Sequence, residues 1–457
     1  NEILDSNTYI WNNSFRNDKN ERFIIMKKVM VYGSGISGNG AKALLEKEGY
    51  EVILVDDKKA ITSEEAMKNL DGLEFFIKSP GIPYNALVQE VQRRGIKLLD
   101  EIEIAYNYLV EKNMKTKIIA ITGTNGKSTT TAKISDLLNH AGYKAAYAGN
   151  IGRSLSDVLL NEKDLDFVSL ELSSFQLENL ENFKPYISMI INMGPDHIER
   201  YKSFDEYYDT KLNIAKNQDK DCYFIENIDD VEIEKRASQV KANRISVSKN
   251  QEAKVYVKDD KIYAGTDFII ESDKLSLKGI HNLENTLFMV ATAEILNIDR
   301  EKLREFLMIA TPLEHRTENF FNYGKVKFIN DSKATNVDST KFAIDAYKNS
   351  ILICGGYDKG VDLAPLAKMI KENIKEVYLI GLIANKIEKE LKAVGYEDSK
   401  IHKLENLENS LLDMKKRFTE ADEEVILLSP ATSSYDQFNS FEHRGKVFKE
   451  LVLKIFG

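Results

Sequence analysis

The sequence predicts an α/β protein with three domains. Short apolar segments alternate with helical periodicity from Lys28 onward, as in a parallel α/β sheet. Glycine-rich turns follow two of these segments, at residues 33–38 and 123–126. The chain has 457 residues, which is more than one hydrophobic core usually supports. We place the domains at residues 26–113, 114–312 and 313–457, preceded by an Asn-rich extension, residues 1–25, that we expect to be disordered.

Composition excludes several classes of protein. The net charge of −9, with dispersed Lys and Arg, argues against nucleic acid or an anionic membrane as the main partner. Cys222 and Cys354 lie far apart without metal-ligand spacing, so we expect two buried free thiols in a reducing compartment. No apolar run reaches the roughly 18 residues that a membrane span needs. These features predict a soluble cytoplasmic protein.

The first glycine-rich turn reads Gly-Ser-Gly-Ile-Ser-Gly and lies between an apolar strand, residues 29–32, and a helix predicted to reach Lys47. A second strand, residues 52–55, ends in an acid, which completes a dinucleotide fingerprint. The glycines indicate only a close approach to a pyrophosphate, so NAD and a UDP-sugar fit equally well. The candidate ligand contacts are Gly33, Gly35, Ile36, Ser37, Gly38 and Asp56.

Ser79 begins a Ser-Pro-Gly-Ile-Pro segment after the apolar residues 75–77. A rigid loop at the end of a strand is a common ligand contact in α/β sheets, although a plain turn explains the segment about as well.

The second glycine-rich turn predicts a phosphate-binding loop. Residues 118–131 form an apolar strand, a glycine loop and a Lys-Ser pair that opens a helix. Ile121 occupies the place of a further glycine in the strict motif, so this is a shortened variant, and a helix-capping turn is the alternative. We expect ATP or GTP to contact Gly123, Thr124, Asn125, Gly126, Lys127, Ser128 and Thr129.

Three further residues are candidates for the same edge of the second sheet. Glu171 ends an apolar strand, where a nucleotide enzyme needs a carboxylate for its metal, although a solvent-exposed acid is the simpler interpretation. His197 follows another buried strand, residues 187–192, and is about as easily a structural histidine as a ligand. Lys211 lies on a probable helix, where a surface lysine is the default.

Several segments together resemble the Mur ligase superfamily, which also includes folylpolyglutamate synthases. They are residues 123–128, 192–197 with Arg200, 279–285, 315–316, 330–336, 355–359, 429–431 and 441–445. The Asp-Ser-Lys-Ala-Thr-Asn segment at residues 331–336 is similar to that of the members that add D-glutamate, and sister ligases carry a different segment there. The resemblance spans residues 26–457.

The resemblance implies a fold and a reaction. It implies Rossmann-like first and third domains around a central P-loop ATPase-type domain, with the UDP-sugar on the first domain. The substrates would be ATP, D-glutamate and UDP-N-acetylmuramoyl-L-alanine, in the synthesis of a peptidoglycan precursor by a monomer. ATP would phosphorylate the alanyl carboxylate, and the amine of D-glutamate would attack the resulting acyl phosphate.

The resemblance also implies residue roles. Lys127, Glu171, His197 and Lys211 would be catalytic, with Ser128, Glu171, His197 and Lys211 holding two Mg²⁺ ions and Lys211 carbamylated by CO₂. Asn282 and Asn285 would position adenine, Arg316 and Asp331 would contact ATP, and Asn150 and His197 would meet the UDP-substrate. The D-glutamate pocket would comprise Lys333, Thr335, Lys359, Ser434 and Phe441, which could otherwise be a solvated surface.

Two other classes of function remain open at this point. A nicotinamide dehydrogenase would use the first glycine motif and leave the phosphate loop and the C-terminal lysines without a role. A nucleotide-driven switch or scaffold would use only the phosphate loop. Within the ligases, the alternative is a sister enzyme that adds another amino acid, or glutamate to folate.

Overall fold

The computed structural model describes residues 27–194, 201–358 and 360–457. The N-terminal extension, His197, Arg200 and Lys359 therefore lie outside the described residues. The chain divides after Ala310 into two compact units, each with its own sheets. The α/β prediction is confirmed, because the described residues alternate between parallel strands and helices.

The first sheet has four described strands in the order β2-β1-β3-β4, all parallel. Alternate β1 residues such as Val29 and Val31 pack on Leu44 and Leu45 of the first helix. The elements are β1 (Lys28–Tyr32), α1 (Ile36–Lys47), β2 (Glu51–Val55), α2 (Ser63–Met67), β3 (Leu73–Lys78), α3 (Ala86–Arg93), β4 (Leu98–Leu99) and α4 (Glu101–Glu111). The glycine motif thus joins β1 to α1, and α1 ends at Lys47 as predicted.

The second sheet has nine described strands in the order β13-β12-β11-β10-β9-β8-β5-β7-β6. Its strands and helices are β5 (Lys117–Thr122), α5 (Lys127–Ala141), β6 (Ala145–Gly149), α6 (Leu155–Asn161), β7 (Phe167–Glu171), β8 (Ile187–Ile190), α7 (Phe204–Leu212), β9 (Tyr223–Asn227), α8 (Val231–Ala237), β10 (Asn243–Ser248), β11 (Val255–Lys258), β12 (Lys261–Ala264), β13 (Asp267–Glu271), α9 (Ile280–Ile295) and α10 (Arg300–Ile309). Strands β5 to β11 all pair in parallel, so the carboxyl ends of β5, β7 and β8 meet at one edge of the sheet.

The sequence predicts a helical stretch over residues 282–310, and the structure contains two helices there, α9 and α10. Asn297 has a φ of +51°, a left-handed conformation that ends α9. The side chain of Asp299 then accepts hydrogen bonds from the backbone N–H groups of Glu301 and Lys302 and caps α10. The periodicity of the sequence predicted the helices, but the break depends on these two short polar residues.

Buried carboxylates of α4 bind backbone groups of the segment that contains the second sheet. Glu101 accepts a hydrogen bond of 2.6 Å from the backbone N–H of Ser156, and Glu103 accepts three from the backbone of residues 181–183. Burial raises the pKa of Glu101 to about 7. These contacts make residues before and after Met114 parts of one compact unit.

The unit from Thr311 to Gly457 contains a six-stranded sheet in the order β14-β15-β19-β16-β17-β18, in which only β14 pairs antiparallel. Hydrophobic clusters cover both of its faces. The elements are β14 (Glu318–Tyr323), β15 (Val326–Asn330), α11 (Val337–Ala346), β16 (Ile351–Gly355), α12 (Ala364–Asn373), β17 (Glu376–Ile380), α13 (Ala384–Ala393), β18 (Ile401–Lys403), α14 (Leu407–Arg417), β19 (Val425–Leu428) and α15 (Phe441–Phe456).

Two smaller expectations are resolved as well. Cys222 and Cys354 are free and buried, as predicted, and burial raises the pKa of Cys354 to about 12. Within the described ranges, none of the helices has the length and apolar character that crossing a membrane requires.

Candidate functional site

The loop between β5 and α5 has the backbone of a phosphate cradle. Gly126 has a φ of +82° and stands at the N-cap of α5, and Gly123 has a φ of +153°. The side-chain oxygen of Asn192 accepts hydrogen bonds from the N–H groups of Thr124 (3.1 Å) and Asn125 (2.8 Å). Asn192, the second residue after β8, therefore fixes the shape of the loop. The sequence motif alone did not assign this role to it.

Two lysines converge on this loop. Lys127 Nζ lies 2.9 Å from the carbonyl oxygen of Gly123 and 2.8 Å from that of Thr124. Lys211 Nζ lies 3.0 Å from the same Gly123 oxygen, and its side chain is only 2% exposed. Lys211 is therefore not a surface lysine, and α7 directs it at the loop that would receive a triphosphate.

Glu171 is buried beside the phosphate loop. It pairs with Ile121 across the β5–β7 ladder and is 2% exposed, so it is not the solvated acid that was the simpler interpretation. Asn150 Nδ2 donates to Glu171 Oε1 at 2.9 Å, whereas Oε2 is buried and has no hydrogen-bond partner among the described residues. A buried carboxylate oxygen without a donor fits a cation ligand. Ser128, also buried, supplies a hydroxyl oxygen in the first turn of α5.

The N-terminal part of α9 packs against the phosphate loop through Asn285. A Cβ atom at Gly126 would lie 2.4 Å from Asn285 Oδ1, so glycine is required there for close approach as well as for φ. Asn285 Nδ2 lies 3.4 Å from Asn282 Oδ1, and Asn282 Nδ2 donates to the Lys278 carbonyl at 2.8 Å. The two predicted adenine contacts are thus neighbours on one helix that abuts the loop.

The β1–α1 turn is tight enough to exclude larger residues. Gly33 has a φ of +103°, and a Cβ atom at Gly38 would lie 1.8 Å from the Gly33 carbonyl oxygen. Ser79 Oγ donates to the same oxygen at 3.3 Å, so the loop after β3 closes on the turn as one surface. Ile36 is 65% exposed at the start of α1, which leaves the helix N-terminus accessible to an anion.

Asp56 stabilises this turn from the tip of β2. Its carboxylate accepts hydrogen bonds from the hydroxyl and the backbone N–H of Ser34 and, at 3.0 Å, from the N–H of Lys58. The hydroxyl of Ser34, followed by these backbone donors, lowers the pKa of Asp56 to about 2. The acid predicted to meet the ligand is therefore ionised and held by Ser34 of the glycine turn and Lys58 of its own loop.

In the C-terminal unit, the described residues of the predicted D-glutamate pocket lie after β15 and between β19 and the start of α15. Lys333 Nζ is 5.1 Å from the ring of Phe441, and the Thr335 N–H donates to the Lys333 carbonyl at 2.8 Å. Buried Arg444 donates to Ser332, which precedes Lys333, and to the carbonyl of Thr432, two residues before Ser434. The sequence motif contained Arg444, but only the structure shows that this residue joins the two segments by hydrogen bonds.

Asp331 is buried between the same loops. Ser429 Oγ donates to Asp331 Oδ2 at 2.7 Å, and the Thr317 N–H donates to Oδ1 at 3.1 Å, directly after Arg316. Burial raises the pKa of Asp331 to about 7. The His315 carbonyl accepts from the Lys333 N–H at 3.1 Å, so Arg316 and Asp331 share one scaffold with Lys333.

One group of three potential metal ligands occurs among the described residues: Glu314, His315 and Glu318. Lys449 Nζ lies 3.0 Å from Glu314 Oε1 and 2.7 Å from Glu318 Oε1, so an ammonium already balances these carboxylates. His315 Nδ1 lies 2.9 Å from Asn330 Nδ2. This group does not fit a metal site.

Comparison with known proteins identifies close relatives. The Mur ligase middle domain family matches residues 121–293. The UDP-N-acetylmuramoylalanine–D-glutamate ligase of Fusobacterium nucleatum is 83% identical over 432 residues, covering 94% of this chain and 100% of the relative. The enzyme of the same name from Thermoanaerobacter sp. is 36% identical, covering 94% of this chain and 98% of the relative.

Solved structures share the fold at low sequence identity. The UDP-N-acetylmuramate-alanine ligase MurC of Thermotoga maritima gives a TM-score of 0.61 at 17% identity, covering 94% of this chain and 99% of its own. The MurF ligase of Thermotoga maritima in complex with ADP gives a TM-score of 0.56 at 14% identity, covering 86% and 91%.

Proposed function

The chain belongs to the UDP-N-acetylmuramoylalanine–D-glutamate ligases of the Mur ligase family, and on that premise we propose which of its residues carry the reaction. The reaction uses ATP to join the alanyl carboxylate of UDP-N-acetylmuramoyl-L-alanine to the amine of D-glutamate, in the synthesis of a peptidoglycan precursor. The γ-phosphoryl group passes to the carboxylate, and the amine then displaces phosphate from the acyl carbon and loses a proton. We propose that the protein acts as a monomer in the cytoplasm.

Lys127 and Lys211 support this proposal most directly, because both side chains reach the Gly123 carbonyl of the phosphate loop; in the proposal Lys127 acts as a cation, whereas Lys211 is carbamylated. Phosphoryl transfer gathers the triphosphate and the substrate carboxylate at one point, and their mutual repulsion must be offset by cations. In our proposal, Lys127 moves from the loop carbonyls to the β and γ phosphates when ATP binds. The N–H groups of Gly123 to Thr129 cradle the same phosphates.

Mg²⁺ would be held by Ser128 and Glu171, whose hydroxyl and unpartnered carboxylate oxygen fit a hard cation. The ion would neutralise phosphate charge when bound. We propose that His197 and carbamylated Lys211 serve a second ion, since carbamylation converts an ammonium into an anionic oxygen ligand. Asn150, now donating to Glu171, would link the carboxylate to the muramoyl end of the substrate.

Substrate recognition would use three groups of residues. The uridine diphosphate would bind at Gly33, Gly35, Ile36, Ser37 and Gly38, with Asp56 and Ser79 fixing the turn. Asn282, Asn285, Arg316 and Asp331 would contact ATP. Lys333, Thr335, Lys359, Ser434 and Phe441 would form the D-glutamate pocket. Its lysine and hydroxyl groups would hold the carboxylates, and each ionic hydrogen bond there contributes about 1.5–3 kcal/mol.

The test is phosphate release from ATP with Mg²⁺ and UDP-N-acetylmuramoyl-L-alanine, adding D-glutamate, L-glutamate, L-lysine or L-alanine one at a time. We expect release that requires both the UDP-sugar and D-glutamate, and its loss in K127M. Release driven by a different amino acid would overturn the choice of substrate. Phosphate release stimulated by neither the UDP-sugar nor an amino acid would favour a nucleotide switch instead.

A further inference from the structure

A buried arginine joins α7 to α8. The Arg236 side chain is 4% exposed, and its guanidinium group binds three carboxylates: Nε donates to Asp209 Oδ1 at 2.7 Å, and the two terminal nitrogens bind Asp205 and Glu232. The guanidinium carbon also lies 5.2 Å from the centroid of the Tyr208 ring. Asp205, Tyr208 and Asp209 are all on α7, so one side chain of α8 holds a whole face of that short helix.

The opposite face of α7 carries Lys211. Asp205 and Asp209 are four residues apart and share the face toward α8, whereas Tyr207 and Lys211, also four apart, share the face toward the phosphate loop. Lys211 Nζ lies 4.6 Å from the Tyr207 ring centroid and 3.0 Å from the Gly123 oxygen. The position of α7 therefore sets how far Lys211 reaches, and Arg236 is the charged contact that holds α7 from behind.

We propose that Arg236 is a positioning residue for the ligase reaction: by holding α7 through Asp205 and Asp209, it sets Lys211 at the phosphate loop. This inference rests on the proposed role of Lys211. Without the guanidinium group, α7 would lose its ties to α8 through Asp205, Asp209 and the Tyr208 ring, and the helix that carries Lys211 would be free to shift. Repulsion between the two aspartates adds little, because both are largely exposed and solvent screens them. The planar guanidinium group of arginine, with five N–H donors, also fixes the orientation of its carboxylate partners better than the single ammonium group of lysine.

The experiment compares kcat of R236M with that of R244M. Arg244 is the control because it also binds a carboxylate of the same domain, Glu226 at 2.9 Å, but lies on β10 and does not hold α7. We expect kcat of R236M to fall by about ten- to a hundredfold, the range caused by displacing a reactive group by about an ångström. R244M should keep the wild-type kcat, and R236K should recover part of the loss.

A double-mutant cycle separates positioning from a general loss of stability. If Arg236 acts through Lys211, R236M should reduce the residual activity of K211A by less than about twofold, because the group being positioned is already absent. If R236M folds poorly, D209N provides a milder version of the same cycle. It keeps the arginine and removes the negative charge of one of its three carboxylate partners.

The outcomes are distinguishable. Wild-type kcat in both R236M and D209N, with K211A inactive, would overturn the inference and leave the proposed function intact. Multiplicative losses in the K211A background would also overturn it, because Arg236 would then act independently of Lys211. Full activity in K211A would instead reject the proposed role of Lys211.

Discussion

At the scale of single residues, Glu171 combines burial with an unpartnered oxygen. One carboxylate oxygen binds Asn150, and the other has no donor within the described part of the chain. Burying a carboxylate oxygen without a hydrogen-bond donor costs free energy unless a cation binds it. Functional sites retain such destabilising groups because the reaction needs them. The sequence placed this acid at the end of a strand, but it could not distinguish a buried acid from a solvated one.

We therefore predict that E171Q separates activity from stability. Phosphate release should fall by about a hundredfold, because a cation ligand is lost. The melting temperature should not fall, because a neutral amide relieves an unpaired buried charge. Glu226 provides the control, since it is equally buried but paired with Arg244, so E226Q should keep activity. Equal activity losses in E171Q and E226Q would contradict the metal role.

Asp331 predicts how stability depends on pH. Burial raises its pKa in the folded state to about 7, whereas an unfolded aspartate titrates near 4. Between these values the folded protein binds a proton that the unfolded chain does not, so stability falls as pH rises from about 4 to 7, by at most about 4 kcal/mol. D331N should therefore show a smaller loss of melting temperature between pH 5 and 7.5 than the wild type.

The control for this measurement is D345N, which changes an exposed aspartate of α11. Its melting temperature should follow the wild-type pH dependence. Other buried acids, such as Glu101, titrate alike in all three proteins, so the comparison isolates Asp331. An unchanged pH dependence in D331N would mean that Asp331 is ionised in the folded protein.

At the scale of elements, the sequence predicted the strand-loop-helix units because glycine, lysine and serine occupy a strand-to-helix junction. The end of α1, the helical position of Lys211 and the burial of both cysteines were also predicted correctly. The packing of α9 against the phosphate loop was not deduced, because Gly126 and Asn285 are distant in sequence and only the fold brings them together. Local patterns specify elements, whereas tertiary packing specifies which polar groups meet.

This contact predicts that G126A disrupts nucleotide binding. Alanine would be strained at a φ of +82°, and its Cβ would meet Asn285 Oδ1 at 2.4 Å. The strain alone costs about 1–3 kcal/mol, and relieving the clash would displace either the phosphate loop or the side chain of Asn285, itself a predicted adenine contact. We expect ATP affinity, measured by calorimetry, to fall by at least about tenfold, since 1.4 kcal/mol corresponds to that factor.

Gly265 offers the matched control for G126A. Its φ is +59°, but a Cβ there would meet no atom within 4 Å, so G265A carries backbone strain without a clash. G265A should lose some stability and retain ATP affinity. Equal ATP affinities in G126A and G265A would show that the Asn285 contact does not shape the nucleotide site.

At the scale of the whole molecule, the predicted domains differ in how far they depend on one another. The sequence suggested three segments of similar kind, each with its own sheet. Buried acids of α4, however, take their hydrogen-bond donors from the backbone of residues 156 and 181–183. Such long-range pairing of a carboxylate with backbone N–H groups leaves no periodic signal in the sequence, so the interdependence could not be predicted.

This difference predicts which fragments fold. A fragment of residues 311–457 contains both hydrophobic clusters of its six-stranded sheet and should unfold in one cooperative transition when heated. In a fragment of residues 27–113, Glu101 and Glu103 would lose their backbone donors, and the apolar side of α4 would lose its packing against α6. This fragment should therefore not unfold cooperatively. Differential scanning calorimetry of both fragments provides the measurement. A cooperative transition in the shorter fragment would mean that the first sheet is stable without these contacts.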